Sequence, residues 1–590
     1  MARTKGNTDS NTLALLGKKE VLKRRFGFWS LFGFAVCELI TWETVLALFS
    51  QGFNNGGPAG LVYGFIIAWS STLSVYTVIS ELASMAPIAA GQYYWVYMLA
   101  PERYKVFSSY IVGWLTSLAW VATVATETIF AGTMLQGLII LDHENDYNPK
   151  QWHGTLLAWL VIVVAIFINV VIPGALPKFE IFIIVFHIAG FIAILSVLWV
   201  YSPHNSAHFV FTTALNEGGW PTQGLSICVG FLGNVATFVG ADASVHMAEE
   251  VSNAPWNIPR AIIGAMLING AVGFTMMLTV LFCLGDVDSV LETATGYPFI
   301  QIFYNSVQNT AGATAMGAVV LALTWACAIG ICTTASRMTW SFARDNGTPF
   351  SKAISYVSKQ RKIPTVAVLV VTGIAALLTL IYIGSYTAFN DVISLTITGF
   401  YSSYFLPAAF LLYNRVKGRI LPHKQETPGL PIDDGDTSED NKVEGPVGNG
   451  DGIASAVGKK DSPEDEDMKK PAYTDAGSTT YPPATGEGCR RISVAQAPLV
   501  WGPFHLPGWF GIINNAYACV YMIFVIFWSV WPPETPVDYQ TMNYSVVVTG
   551  GVVIFSIIWY YIRGHKEYKG PVVDDEVAAI VIRRTSVVNV

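Results

Sequence analysis

Charge is what this sequence has least of. Aspartate, glutamate, lysine and arginine make up only 13% of its 590 residues, about half the share of an ordinary soluble domain. That shortage excludes a water-soluble globular fold for most of the chain, because too little polar surface exists to cover it. No Gly-x-x-x-x-Gly-Lys-Ser/Thr loop is present, which removes a nucleotide-driven pump, and no His/Cys spacing fits a zinc centre. No enzyme constellation, metal or cofactor is therefore expected. Cysteine is limited to seven scattered residues, six of them in hydrophobic segments where they pack as small apolar groups. Cys228 and Cys283 fall near outer helix ends and could pair, although nothing requires it. No cleavable leader is expected either: the residues before position 27 are polar and basic, and the first apolar run is long enough to stay in a membrane.

What is present is length without charge. Apolar segments fall at 27–51, 61–86, 107–141, 156–172, 179–201, 224–248, 263–285, 315–342, 364–383, 390–414, 508–531 and 545–562, each on the scale needed to cross hydrocarbon. Twelve spans place both termini on one side. With the N-terminus in the cytoplasm, the outer loops hold a single basic residue, Lys150, and the other 33 of 34 lie on the cytoplasmic face. That bias is the positive-inside rule.

The net charge of −7 is local. Residues 424–497 contain 15 acidic and 8 basic side chains, and the remainder has 26 of each. Nucleic acid is thus not an expected partner, whereas a lipid bilayer is. The predicted organisation is a cytoplasmic tail over 1–26, ten helices over 27–414, a disordered acidic cytoplasmic loop over 415–507, two helices over 508–562 and a cytoplasmic tail over 563–590. The loop composition cannot bury enough apolar surface to offset chain entropy. Arg490-Arg491-Ile492-Ser493 and Arg583-Arg584-Thr585-Ser586 have the form of basic-directed kinase sites at Ser493 and Ser586. Asn543-Tyr544-Ser545 is a glycosylation sequon that abuts the last span, too close for use.

A polar solute crossing such a bundle needs a site that replaces its water, and interrupted helices supply one from freed backbone N–H and C=O groups. The first and sixth segments fit. Gly33, Cys37, Glu38, Thr41, Trp42 and Glu43 lie in the first; Thr237, Phe238, Gly240 and Asp242 lie in the sixth. Each opens one half of an expected five-plus-five repeat. Glu38, Glu43, Glu127 and Asp242 are costly at membrane depth, on the order of 2.5–3.5 kcal/mol for a central carboxylate, and so call for a partner or a role in carrying a proton. Glu38 and Glu43 are five residues apart, about 140° on an intact helix, and share a site only if the helix unwinds between them. Asp242, His246 and Glu249 or Glu250 fall on one face. They read as a proton path or inner gate, with a polar helix end near Arg260 as the plainer reading of the two glutamates.

Several blocks resemble the amino acid–polyamine–organocation superfamily, in particular fungal permeases for amino acids, GABA and choline, from about residue 26 to 565 outside the acidic loop. They are Asn55-Gly56-Gly57-Pro58-Ala59-Gly60, Glu81-Leu82-Ala83-Ser84-Met85-Ala86-Pro87 with Gly91-Gln92-Tyr93-Tyr94-Trp95-Val96, Gly240-Ala241-Asp242 with His246-Met247-Ala248-Glu249-Glu250-Val251, Ile258-Pro259-Arg260-Ala261-Ile262, and Ser336-Arg337-Met338 with Phe342-Ala343-Arg344-Asp345. The resemblance implies an all-α integral membrane protein of 12 transmembrane helices in a LeuT-type fold, two inverted five-helix repeats plus two extra helices. It implies alternating access and uptake at the plasma membrane, commonly driven by protons. By the same resemblance, solute meets backbone around Gly33–Thr44 and Thr237–Gly240, and Asp242 stands where relatives often place an acidic residue; the residues themselves make Asp242, His246, Glu249 and Glu127 the candidates for proton coupling or gating. One departure stands out: the usual small residues at the first break are here Thr41-Trp42-Glu43-Thr44. The carboxylate could suit a quaternary amine with Trp42 as a cation–π face, or could carry the proton. The expected solute is an amino acid or a relative such as GABA, with choline as the alternative. A nutrient receptor that binds without transporting is the alternative of a different class.

Overall fold

The computed structural model describes residues 12–143, 146–384, 386–423, 498–539 and 541–573. The acidic stretch, Cys489, Ser493 and Ser586 lie outside them. Every one of the twelve apolar segments is helical. Eleven helices are long and apolar enough to span a membrane, and among the described residues there are no strands. The sixth segment is the exception in length, a short apolar helix of 14 residues.

The spanning elements run α1 (Phe28–Leu39), α2 (Thr41–Ala47), α3 (Gly57–Met85), α4 (Lys105–Asp142), α5 (Gln151–Val171), α6 (Leu176–Tyr201), α7 (Gln223–Ala236), α8 (Ala243–His246), α9 (Ala254–Phe282), α10 (Thr310–Arg344), α11 (Thr365–Thr379), α12 (Tyr386–Val416), α13 (Gly508–Trp528) and α14 (Ser545–Trp559). The first and sixth segments are therefore split in two. Burial orders the rest. The most apolar window of α1 and α2 is 94% buried, that of the last helix only 11%, so the first segment is central and the last is peripheral. α1 packs on α6, α9 and α10, and the 38-residue α4 packs on α5, α10 and α12. Leu160, Val163 and Phe167 on α5, Phe182 and Val185 on α6, and Ile513 and Val520 on α13 project outward. Such an apolar exterior is stable only in contact with lipid.

Small residues set the close approaches. A Cβ on Gly33 would stand 2.6 Å from the carbonyl oxygen of Glu180, so α1 and α6 reach this separation only with glycine there. The cysteines among the described residues, Cys228 and Cys283 included, are free thiols. Asn543 is buried, and its amide donates to the carbonyls of Ser529 and Trp531 at 3.1 and 3.0 Å. The sequon is thus closed by packing as well as by proximity to the span.

Candidate functional site

The first segment breaks at Ile40, whose φ of 28° and ψ of 50° separate α1 from α2. A β-branched residue at positive φ is strained, at a cost of about 1–3 kcal/mol that surrounding packing must offset. The sixth breaks over 237–242, between α7 and α8. Gly240 has a φ of 115° there, and a Cβ on it would stand 3.0 Å from the Glu38 carbonyl oxygen. The two breaks therefore touch. Thr41 Oγ1 donates to the Thr237 carbonyl at 3.0 Å. The Tyr76 hydroxyl of α3 donates to the Phe238 carbonyl at 3.0 Å and accepts the Gly240 and Ala241 amides at 3.1 and 3.3 Å.

A chamber of about 40 Å³ lies beside these breaks, lined by Glu38, Ile40, Thr44, Thr123, Glu127, Val239, Ile331 and Thr396 among others. Both Glu38 carboxylate oxygens and Glu127 Oε2 are buried without a hydrogen-bond partner. A larger vestibule of about 300 Å³ adjoins it, carrying Glu217, Asp391 and Glu534 and no basic side chain. Leu48, Phe130, Ile393 and Ile397 line both spaces and form an apolar partition between them.

At the other end of the bundle, ion pairs and the described N-terminal segment pack between the helix ends. Glu249 accepts the two terminal Arg344 nitrogens, Nη2 at 2.7 Å and Nη1 at 2.9 Å. Glu250 accepts Arg337 Nε at 2.9 Å. Asp345 is bound by Lys18, by the Tyr93 hydroxyl at 2.8 Å and by the Val572 amide at 2.9 Å. The plainer expectation for Glu249 and Glu250, a solvated helix end near Arg260, is corrected on this point: both are buried, their partners come from α10, and Arg260 stacks on Trp256 at 4.8 Å. The cause is that the chain beyond α8 folds back as a short 3-10 turn, Ala248–Glu250, against α10.

The remaining sequence candidates divide between these places. Asp242 is buried and saturated, accepting the Tyr404 hydroxyl at 2.5 Å and the Gln92 amide at 2.8 Å, with His246 Nε2 at 3.6 Å. His246 donates Nδ1–H to the Ala89 carbonyl at 2.8 Å; the acceptor fixes that tautomer. Phe238 packs on Phe65, ring centroids 4.9 Å apart. Gly33 and Cys37 face α6 and the α1 core, away from the chamber. Trp42 and Glu43 also turn away from it: Trp42 lies against His187 and Phe191, and Glu43 Oε1 accepts His187 Nδ1–H at 2.8 Å. Breaking the helix at Ile40 thus leaves Glu38 and Glu43 on different faces. Sequence reasoning missed His187 and Glu180, although the signal existed: both are ionisable, seven residues apart on one helical face of an otherwise apolar run.

A lipid-facing helical bundle with a small polar chamber between two interrupted helices defines the class, an integral membrane protein with a buried polar site. A family model described as amino acid permease matches residues 26–432, and the chain belongs to that family of membrane transporters, which are not enzymes. It is similar to the choline transporter of Saccharomyces cerevisiae, 28% identical over 93% of this chain and 83% of that protein. The GABA-specific permease of the same yeast is 29% identical over 69% of this chain and 72% of its own. Amino-acid permease 2 of Neurospora crassa is 24% identical over 98% and 93%.

Proposed function

We propose that this transporter is a secondary active carrier that imports an amino acid or a related amine-bearing solute, GABA among them, by proton-coupled alternating access at the plasma membrane. The observation that carries this reading is the pair Glu38 and Glu127. Their unpartnered buried oxygens at the helix breaks call for hydrogen-bond donors and positive charge. A protonated amine supplies both, with N–H groups to spare. A quaternary ammonium supplies charge without donors and is held by aromatic faces, of which the chamber has only Phe130.

The vestibule adds a second support. Its acidic lining raises the local concentration of cationic groups. The chamber itself is scarcely larger than the share of one water in the liquid, ~30 Å³, so solute entry must widen it and part the apolar partition. We read the present conformation as closed at the tail end and approachable from the vestibule. The distribution of Lys and Arg places the tail end in the cytoplasm. On this reading the architecture has twelve spans in LeuT-type inverted repeats, with α7 and α8 as the sixth. Asp242, His246 and Glu249 belong to the inner gate.

Uptake into proteoliposomes tests the proposal. Labelled amino acids, GABA and choline are offered separately, with and without an inward proton gradient. Accumulation of an amino acid or GABA, abolished by a protonophore, is expected. Accumulation of choline alone would replace the solute, and binding without entry of any label would replace the carrier by a receptor.

A further inference from the structure

Asp242 has its oxygens committed to Tyr404 and Gln92, but a second buried acid is paired differently. Glu43 is fully buried on α2, and its Oε1 holds the Nδ1–H of His187, itself fully buried on α6. Glu43 Oε2 and His187 Nε2 have no partner. Neither residue lines the chamber or the vestibule. Trp42 covers the imidazole at a centroid distance of 5.7 Å. The titratable groups that interact with Glu43 are Cys37 on α1, Glu127 on α4 and Cys327 on α10, and Cys37 in turn meets Glu38 on α1 and Glu180 on α6. Of these, Glu38 has no hydrogen-bond partner for either carboxylate oxygen, and Glu180 meets the Cys37 thiol. His187 is the base hydrogen-bonded to Glu43.

We propose that Glu43 and His187 together are the site at which the transported proton is carried; the inference rests on the proton-coupled carrier reading. With Nδ1–H fixed on Glu43, the proton is taken at Nε2 and the imidazole becomes imidazolium. Loaded, the pair is a carboxylate with an imidazolium and has no net charge. Empty, it is a carboxylate with a neutral imidazole and carries a net negative charge in a buried place. A buried pair tolerates the first state far better than the second, so the two loading states favour different packings of α2 on α6. Coupling to solute follows from position. Glu43 faces α6, whereas the next residue, Thr44, lines the chamber. Solute and proton therefore act on neighbouring faces, about 100° apart, of the same seven-residue helix, which is bounded by the strained Ile40. This is a physical element that both ligands bias, as coupling requires.

The test separates coupling from translocation. In proteoliposomes of the full chain, solute–solute exchange at equal pH needs no net proton movement, whereas accumulation under a proton gradient does. E43Q and H187N, the second keeping a donor near the Nδ1 position, are expected to exchange labelled solute but to stop at equal concentrations inside and outside. Accumulation by either variant equal to that of the unsubstituted protein overturns the proposal. So does loss of exchange in a variant that still gains thermal stability from solute, because the pair then serves the conformational step. Should neither variant assemble, the unsubstituted protein carries the measurement through deuterium exchange at histidine C2–H, read by mass spectrometry across pH. His187 titrating over the range in which uptake changes supports the assignment, and His187 unchanged across that range overturns it. An unsubstituted protein that neither exchanges nor accumulates any label fails the carrier reading instead, before any variant is made.

Discussion

The Tyr76 hydroxyl accepts the amide of Gly240 at 3.1 Å, across the gap where the sixth span is interrupted. The same oxygen donates to the Phe238 carbonyl, so one phenol holds both sides of the break. Tyr76→Phe keeps the ring and its packing on Tyr404 but removes the partner of two buried amides, those of Gly240 and Ala241, and of the Phe238 carbonyl. Each unsatisfied group costs about 1–3 kcal/mol. The expected result is a lower unfolding temperature in detergent together with slower uptake. An unchanged melting curve would show that the loop between α7 and α8 is held by other contacts.

Gly330 on α10 lies directly against the Glu38 carboxylate, and a Cβ there would occupy the space of its Oε1. Gly330→Ala should therefore turn Glu38 out of the chamber while leaving insertion intact. The measurement is the concentration dependence of uptake, in which KM for an amine-bearing solute rises. An unaltered KM would remove Glu38 from solute binding.

Arg337 and Glu250 are both buried and meet at 2.9 Å. Removing one partner of such a pair leaves an uncompensated charge and costs about 3–5 kcal/mol, whereas replacing both by apolar residues of similar volume is often neutral. Glu250→Ala should accordingly lower thermal stability sharply, and combining it with Arg337→Met should recover most of the loss. If the double variant is no better than the single one, the pair contributes more than charge balance.

The vestibule charge predicts a salt effect. Glu217→Gln and Glu534→Gln remove two of its three carboxylates. The initial rate of uptake at low solute concentration should then fall at low ionic strength and lose much of its dependence on salt, since screening shortens to about 10 Å at 0.1 M. Identical salt profiles would show that the vestibule does not steer solute.

Much of the architecture was legible because it follows from solvent. Hydrophobic length marked all twelve segments, and the misplaced-looking Glu38 and Asp242 marked the two that break. The particular break was not legible. Ile40 has no sequence feature that favours positive φ, and only packing of Glu38 and Thr41 against the sixth segment imposes it. Pairings across long separations were also hidden: Glu249 and Glu250 find Arg344 and Arg337 95 and 87 positions away. His187 was overlooked for a different reason. Glu180 and His187 on one face of an apolar run were a signal, but their partners lie on α1 and α2 and show only in the fold.

Asp345 completes its set of partners with Lys18 from one extremity of the described chain and the Val572 amide from the other. Synthesis runs from the first to the second, so the shell around this carboxylate stays unfinished while all the spans are being threaded into the bilayer. This set of contacts is consequently completed only after the last described span has been made. A half-made chain therefore has its helices before it has the clasp that ties its two extremities to Asp345.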